Sequence, residues 1–563
     1  MFLQPETHPI TEEQLTREVR GIYAGLTMVE KKCIEIDKLQ SDSKHDLSHA
    51  QWQTLIALHR TLLHEHHDFF LASQHPFASP GLQKLAEKYS MPARMWRYGI
   101  HAFLEVLRSR LPHSLEYMLT FIYLAYSMMT LLVESVPAFE GTWIECLGDL
   151  ARYRMAVEEV DMRDREIWAG VARFWYNKAA DKTPGVGRIQ HHLAVLARPD
   201  VVQQLFYYTK SLTTVQPFPS TRESILLLFD PLLSRPQPVV RQRHYAALTA
   251  FVTAHGFLFT RDGSSSQFLS FARQFLDLLD DYIGRSGTTF RLQGAHIVSC
   301  NFAAIFEYGS IGALLPGEFN GNKNNEMEEE LVPSMEEVYL SATQYWEESQ
   351  ASRLVSEADY PNAVHHNPSS TMLHGSYLAF HTISILLDRV GDKNVFPSVH
   401  VSLAFIWCLC LNQGSMKYIE CLVPWVSIAT FLNSMIRPNV DASKIERVEF
   451  PRAETGSLQQ MPEDFIIRGQ VWSPHYFPPG FFDNALSEDD GRLMETPSLI
   501  ISRIHRCLWL GVRLSTFQCW MTYDSTQKTF SATPYACALN EMAEEHDPFP
   551  SLHSTTTCSI TKF

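Results

Sequence analysis

Between Gln51 and Asp230 the apolar residues recur at helical spacing, and no stretch alternates with period two over the length of a strand. In MWRYGIHAFLEVLRSRL, the residues Trp96, Ile100, Phe103, Leu104, Leu107 and Leu111 fall on one stripe; Trp143, Leu147, Leu150 and Ala151 repeat the pattern. An amphipathic helix cannot bury its stripe alone, so successive helices must stack, and the chain reads as all-α. Its 563 residues are 45% hydrophobic and 12% aromatic, enough to fill the core of a long array.

One stretch narrows the kind of array. In AGVARFWYNKAADKTPG, Ala172 and Tyr176 are four apart, Ala179 follows three later and Pro184 five after that. Small residues where two helices touch, with a Pro to stop the second, match the second half of a tetratricopeptide-like repeat. A Pro- and Arg-rich stretch from Ser234 to Tyr245 reads as a loop. So do the acidic, Asn-rich stretch Gly317–Val332 and Tyr360–Ser370. Helices are expected to resume over Met372–Arg389, Phe396–Leu411 and Thr496–Trp520. The aromatic- and Pro-rich Arg447–Asn484 reads as an irregular but packed excursion, and the last residues as a loose tail.

Charge and motif content remove several function classes. With 47 Lys+Arg against 62 Asp+Glu the net charge is −15, which argues against a protein built mainly to coat nucleic acid. The 10 cysteines lie in apolar stretches without a C-x-x-C pair, as expected of reduced, mostly buried thiols in an intracellular protein. The start lacks a secretory signal, and the apolar run Tyr117–Val133 is short for a span of ~20 residues, so it is expected to be a buried helix and no membrane partner is expected. Phosphate loops, dinucleotide fingerprints and nucleophile elbows are absent. His64-Glu65-His66-His67-Asp68 fails the H-E-x-x-H pattern at its fifth position, so it reads as a solvated polar face rather than as the metal site that His64, His67 and Asp68 would make. No catalytic residue, metal or cofactor is expected.

Helix geometry does single out a binding site. Asp149, Arg152 and Tyr153 fall at i, i+3 and i+4 on the side of their helix opposite the apolar stripe, and Arg97 and His101 sit one turn apart on an earlier helix. Stacked together, these helices would present Arg97, His101, Arg152 and Tyr153 to one groove, and guanidinium forks with a phenol recognise phosphate. An ordinary Asp149–Arg152 ion pair is the alternative reading of the same spacing.

The stretch Gly148-Asp149-Leu150-Ala151-Arg152-Tyr153, with Tyr176, Ala179, Pro184, Gly187 and Leu193–Ala197, resembles the Ever-Shorter-Telomeres/SMG family of telomerase-associated and nonsense-mediated-decay factors. Leu205–Leu212, Pro217-Phe218 and Arg222-Glu223-Ser224 ahead of Leu226–Phe229 continue the match. Weaker echoes follow in Pro424-Trp425 with Phe431-Leu432-Asn433, and in Met461-Pro462-Glu463-Asp464 with Arg468-Gly469.

The resemblance implies an N-terminal segment at 1–50, a 14-3-3-like tetratricopeptide domain of DNA/RNA-binding type at 51–231, stacked helical hairpins at 232–545 with an acidic loop at 317–335, and a tail at 546–563. It also implies that Arg152 and Tyr153 bind phosphate, with the further basic ligand falling at His101 and Arg97 as a substitute; a histidine there makes phosphate affinity pH-dependent. The chain departs from the family at His191-His192, where Asn-Gln is usual, and in extra residues after Arg152. Some relatives end in a PIN nuclease domain; no strand-plus-Asp pattern follows Trp520, so nuclease activity is not expected.

The expected function is therefore a non-enzymatic scaffold that binds a phosphorylated protein partner in telomere maintenance or RNA surveillance, in the nucleus and also the cytoplasm. A first alternative is direct binding of telomeric DNA or telomerase RNA by the basic surface at 188–243. There Arg188, His191, His192, Arg198, Lys210 and Arg222, with Arg235, Arg241 and Arg243 beyond, would meet the backbone and Tyr207 and Tyr208 would stack on bases. A second is a groove that holds an unphosphorylated acidic helix.

Overall fold

The structure is a computed structural model that describes residues 10–42, 47–159, 161–234, 243–260, 265–320, 338–346, 369–412, 414–437, 440–452, 456, 458–483, 497–545 and 547–549. It is an all-α array that divides into two compact units, Met1–Thr183 and Pro184–Phe563. The division lies inside the 51–231 span expected for the tetratricopeptide domain and coincides with the Pro that ends its repeat.

In the first unit, α1 (Glu12–Asp42) packs on α2 (His49–Ser73). Ser48 starts α2 with a capping box, its hydroxyl bonded to the Gln51 amide and the Gln51 side chain returned to the Ser48 amide. The helical rod α3 spans 91–108. Its middle, Met95–His101, is π-helical, a widened turn that recurs at functional sites in helices. Two contacts from α2 hold that turn. Gly99 lets Leu63 Cδ2 come within 3.1 Å of where a Cβ would stand, and the fully buried His59 places Nδ1 3.1 Å from the Gly99 carbonyl and Nε2 3.1 Å from Asp37 of α1.

The rest of this unit is α4 (Leu115–Ser135), α5 (Glu140–Ala156) and α6 (Met162–Lys182), packed in sequence. Asp161 caps α6 by accepting from the Arg163 and Asp164 amides. Ala172, Tyr176 and Ala179 are all buried on the face of α6 that meets α5, and the helix stops just before Pro184. The apolar α4 buries Met118, Phe121, Ala125, Met129 and Leu132, while its other face leaves Tyr123 and Leu131 exposed. By length and composition alone α4 could cross a membrane; here it packs against α2 and α5.

The second unit begins with the pair α7 (Gly187–Leu196) and α8 (Val201–Thr213), then α9 (Leu226–Leu233) and the pair α10 (Arg243–Thr260) and α11 (Ser265–Ser286). Its core is built around α12 (Phe290–Ile305), which contacts α8, α13 (Ser370–Asp388) and α14 (Phe396–Leu411). The segment Arg447–Asn484 is packed as expected, with Phe450, Trp472, Tyr476 and Phe481 buried around the short helix α16 (Pro462–Ile467), which follows α15 (Trp425–Met435). Glu463 and Asp464 open α16 and are fully buried. Glu463 binds Arg503 of α17 (Pro497–Ser515) at 2.5 and 2.9 Å and His400 at 3.0 Å, and Asp464 binds Arg506 at 2.7 Å.

Four expectations are corrected. A β-hairpin follows Trp520, with β1 (Met521–Asp524) antiparallel to β2 (Thr529–Ala532), because the Asn433 amide bonds both the carbonyl and the N–H of Phe530 and so substitutes for a third strand. The tail is not uniformly loose: beyond α18 (Pro534–Glu545), Asp547 bonds His381 at 3.0 Å and Phe549 is buried. The start of the acidic loop is helical, within Leu314–Asn320; the rest of that loop, 321–335, and most of the Ser234–Tyr245 loop lie outside the described residues. In His64–Asp68 the outer residues His64 and Asp68 are exposed, but His66 is buried, with Nδ1 donating to the Leu62 carbonyl, and desolvation pulls its pKa down to about 4. Of the cysteines, Cys33, Cys146, Cys300, Cys408, Cys410, Cys507 and Cys519 are buried free thiols; Cys421 and Cys537 are half-buried.

Candidate functional site

The α5–α6 contact builds the centre of the candidate groove. At Gly148 a Cβ would lie 2.7 Å from the ring of Tyr176, so only glycine lets this fully buried tyrosine lie against α5. Tyr176 then donates its hydroxyl to Asp149 Oδ1 at 2.6 Å, and Arg152 donates Nε to the Tyr176 oxygen at 3.2 Å and Nη2 to Asp149 at 3.0 Å. Burial opposes the charge on Arg152, but Tyr176 and Asp149 outweigh it and hold the guanidinium firmly protonated. Its side chain is 30% exposed, so the cation is fixed on one side and open on the other. The ion-pair reading of Asp149 and Arg152 is thus correct, and it orients the arginine.

Tyr153 departs from the sequence reading. It is a core residue, 9% exposed, because it turns toward α3 rather than out from α5. There its hydroxyl donates to Glu105 at 2.8 Å, and Glu105 also accepts from Arg108 Nε at 3.1 Å and Nη2 at 2.5 Å. Burial pushes the Tyr153 phenol up, with the Glu105 carboxylate adding to it. Burial also opposes ionisation of Glu105, but Arg108 and then Tyr153 outweigh it and hold the carboxyl below its usual range. The Arg152 guanidinium lies 5.6 Å from the centre of the Tyr153 ring, and the exposed His101 ring meets it edge-on at 6.4 Å.

The fold therefore brings His101, Asp149, Arg152 and Tyr153 together. Arg97 is exposed on the same π-helical turn as His101, with its guanidinium 5.4 Å from the Tyr98 ring. Glu105 and Arg108 were missed. They stand four and seven residues after His101, the spacing of one helix face, and this is the signal that would have found them.

The basic surface expected at 188–243 is depleted by the fold. Lys210 is 4% exposed and caps α16, donating to the carbonyls of Phe465 at 3.1 Å and Ile466 at 2.8 Å. Arg222 donates to the Tyr308 carbonyl at 2.7 Å and to Ser310 at 3.1 Å, with Phe259 beneath it. Lys210 is thus buried away from a phosphate backbone, and the half-buried Arg222 is engaged by partners within the protein. His191 bonds Thr221 at 3.1 Å and, like His192, is half-buried. Tyr208 is buried and presents no face for stacking on a base, while Tyr207 is half-buried beside His296. Arg188 and Arg198 are exposed. Arg235 and Arg241, and the side chain of Arg243, lie outside the described residues.

The Est1 DNA/RNA binding domain matches residues 172–281. Over 86 residues the chain is 36% identical to nonsense-mediated mRNA decay factor SMG7 of Arabidopsis thaliana, covering 15% of this chain and 8% of that protein. Over 99 residues it is 33% identical to telomerase-binding protein EST1A of Danio rerio, covering 17% and 6%. Over 170 residues it is 25% identical to EST/SMG-like protein 2 of Saccharomyces cerevisiae, covering 29% and 14%. Residues 172–281 thus carry an Est1 DNA/RNA binding domain, and the chain is similar to proteins of the Est1/SMG type.

The matched segments cover at most 14% of the length of those three relatives. The family-specific residues have structural work. Ala172, Tyr176 and Ala179 make the α5–α6 contact, and Gly187 lets α7 approach the Ser211 carbonyl, which a Cβ would meet at 2.3 Å. The weaker Est1/SMG echoes also have causes. Asn433 holds the hairpin, Glu463 and Asp464 anchor the buried arginines, and Gly469 takes a φ of +82° beside the Pro184 carbonyl. The groove residues 97–153 lie before the matched domain.

Proposed function

We propose that this chain is a non-enzymatic adaptor of the telomerase-associated or nonsense-mediated-decay type, and that it recognises phosphorylated Ser or Thr in a protein partner through the groove of the first unit. The observation that carries this reading is the oriented Arg152, held by Asp149 and Tyr176 and open to solvent beside Tyr153 and His101. A guanidinium fixed in this way presents its fork to a phosphoryl group with little further ordering, and Arg97 adds charge from the π-helical turn. Similarity to a nonsense-mediated mRNA decay factor and a telomerase-binding protein supports both contexts, and with them a place in the nucleus and also the cytoplasm.

The test is fluorescence anisotropy with phosphorylated and unphosphorylated Ser-Gln peptides, comparing the full chain with Arg152→Glu at two salt concentrations. Binding should require both the phosphate and Arg152. Binding that ignores the phosphate would sink the reading. The nucleic-acid alternative draws support from the DNA/RNA-binding match and the exposed Arg188 and Arg198. It predicts single-stranded RNA or DNA binding that weakens steeply with salt and is lost in an Arg188→Glu/Arg198→Glu double variant.

A further inference from the structure

The seat that a phosphate would take is already filled by a carboxylate. Glu105 accepts the Tyr153 hydroxyl on one oxygen and the Arg108 guanidinium on the other. A phenol and a guanidinium fork are the donors that grip a phosphoryl group. Around Tyr153 the charges of Arg108 and Arg152 are balanced by those of Glu105 and Asp149, leaving the more distant Arg97 as a further cation on the same helix as Glu105. The seat is not sealed, since the side chains of Glu105 and Arg108 are 35% and 61% exposed.

Resting on the groove reading above, we propose that Glu105 is the specificity-determining residue of the groove, an internal competitor that admits dianionic phosphoryl groups and rejects carboxylates. Tethered a short distance from its donors, Glu105 holds them at an effective concentration on the order of millimolar or higher. A ligand carboxylate offers the same single charge and the same acceptor geometry, so exchanging it for Glu105 gains nothing. A phosphoryl dianion brings a second charge and a third acceptor oxygen. It takes Tyr153 and Arg108 while Glu105 turns into solvent, and it reaches Arg152 at the same time. Unphosphorylated acidic segments, the second alternative considered for this groove, are excluded by the same competition.

The experiment uses the full chain and three peptides that differ at one position, Ser, phosphoserine or Glu, measured by anisotropy against wild type, Glu105→Gln and Glu105→Gln/Arg152→Glu. Glutamine keeps an acceptor for Tyr153 and removes the charge. Glu105→Gln should bind the phosphopeptide about tenfold tighter than wild type. It should also bind the Glu peptide that wild type refuses, and the added Arg152→Glu should abolish both. If wild type binds the phosphopeptide through Arg152 and Glu105→Gln is no tighter and still refuses the Glu peptide, the competitor role is overturned while the groove reading stands. If neither protein binds any peptide, both are overturned. Should Glu105→Gln not fold by circular dichroism, Glu105→Ala carries the same comparison.

Discussion

Tyr176 and Gly148 together decide what Arg152 can do. The tyrosine was legible in the sequence only as the aromatic position of a repeat, yet its hydroxyl is one of the two groups that aim the arginine. Gly148→Val is expected to drive a side chain into the Tyr176 ring and destabilise the protein by about 2–3 kcal/mol, read from urea denaturation. Tyr176→Phe leaves the packing and removes the two hydrogen bonds, so it should weaken phosphopeptide binding more than it lowers stability. Equal losses in both would show that Tyr176 only packs. Helix azimuth set Asp149, Arg152 and Tyr153 on one side of the helix, but it did not show that Tyr153 would be buried, because i and i+4 on one helix say nothing of what the neighbouring helix offers. Here α3 offers a carboxylate, and the phenol turns inward to meet it.

At the scale of elements, helical spacing located the three long C-terminal helices closely, since their apolar faces repeat over several turns. The β-hairpin was not legible. Two four-residue strands carry too little periodicity to be distinguished from loop, and they are stabilised by a residue some hundred positions away. Asn433→Ala should leave the Phe530 N–H and carbonyl without this partner at a cost of about 1–3 kcal/mol. Amide hydrogen exchange would then quicken at Phe530 and along the hairpin while α14 keeps its protection. Uniform quickening throughout the second unit would contradict this local role. The π-helical turn of α3 was likewise read as ordinary helix; His59 and Leu63 of α2, which hold it, are distant in sequence.

For the whole molecule, the buried histidines set the response to acid. Desolvation lowers His255 to about 4 and His296 to about 3, below the ordinary imidazole value of 6.5. Between pH 6.5 and 4 the unfolded chain binds protons that these native imidazoles refuse, so stability is complete above pH 6.5 and falls on acidification, by up to about 1.4 kcal/mol per pH unit for each histidine. Urea midpoints measured from pH 7 to 5 should fall accordingly, and His255→Gln/His296→Gln should flatten the slope; an unchanged slope would refute the assignment. The sequence by itself determined that the chain is a helical array, where most helices run, which residues make the repeat contact, and which family it resembles. All of these are written in short-range spacing, because the helical period and helix-stopping prolines are local properties. Tertiary structure alone decided that Lys210 and Arg222 serve carbonyls of other elements, that Asn433 pairs with the hairpin, and that Glu105 accepts the Tyr153 hydroxyl. Each of those outcomes depends on a hydrogen-bond partner from another element, and the pairing of polar groups in a packed interior has no period along the chain.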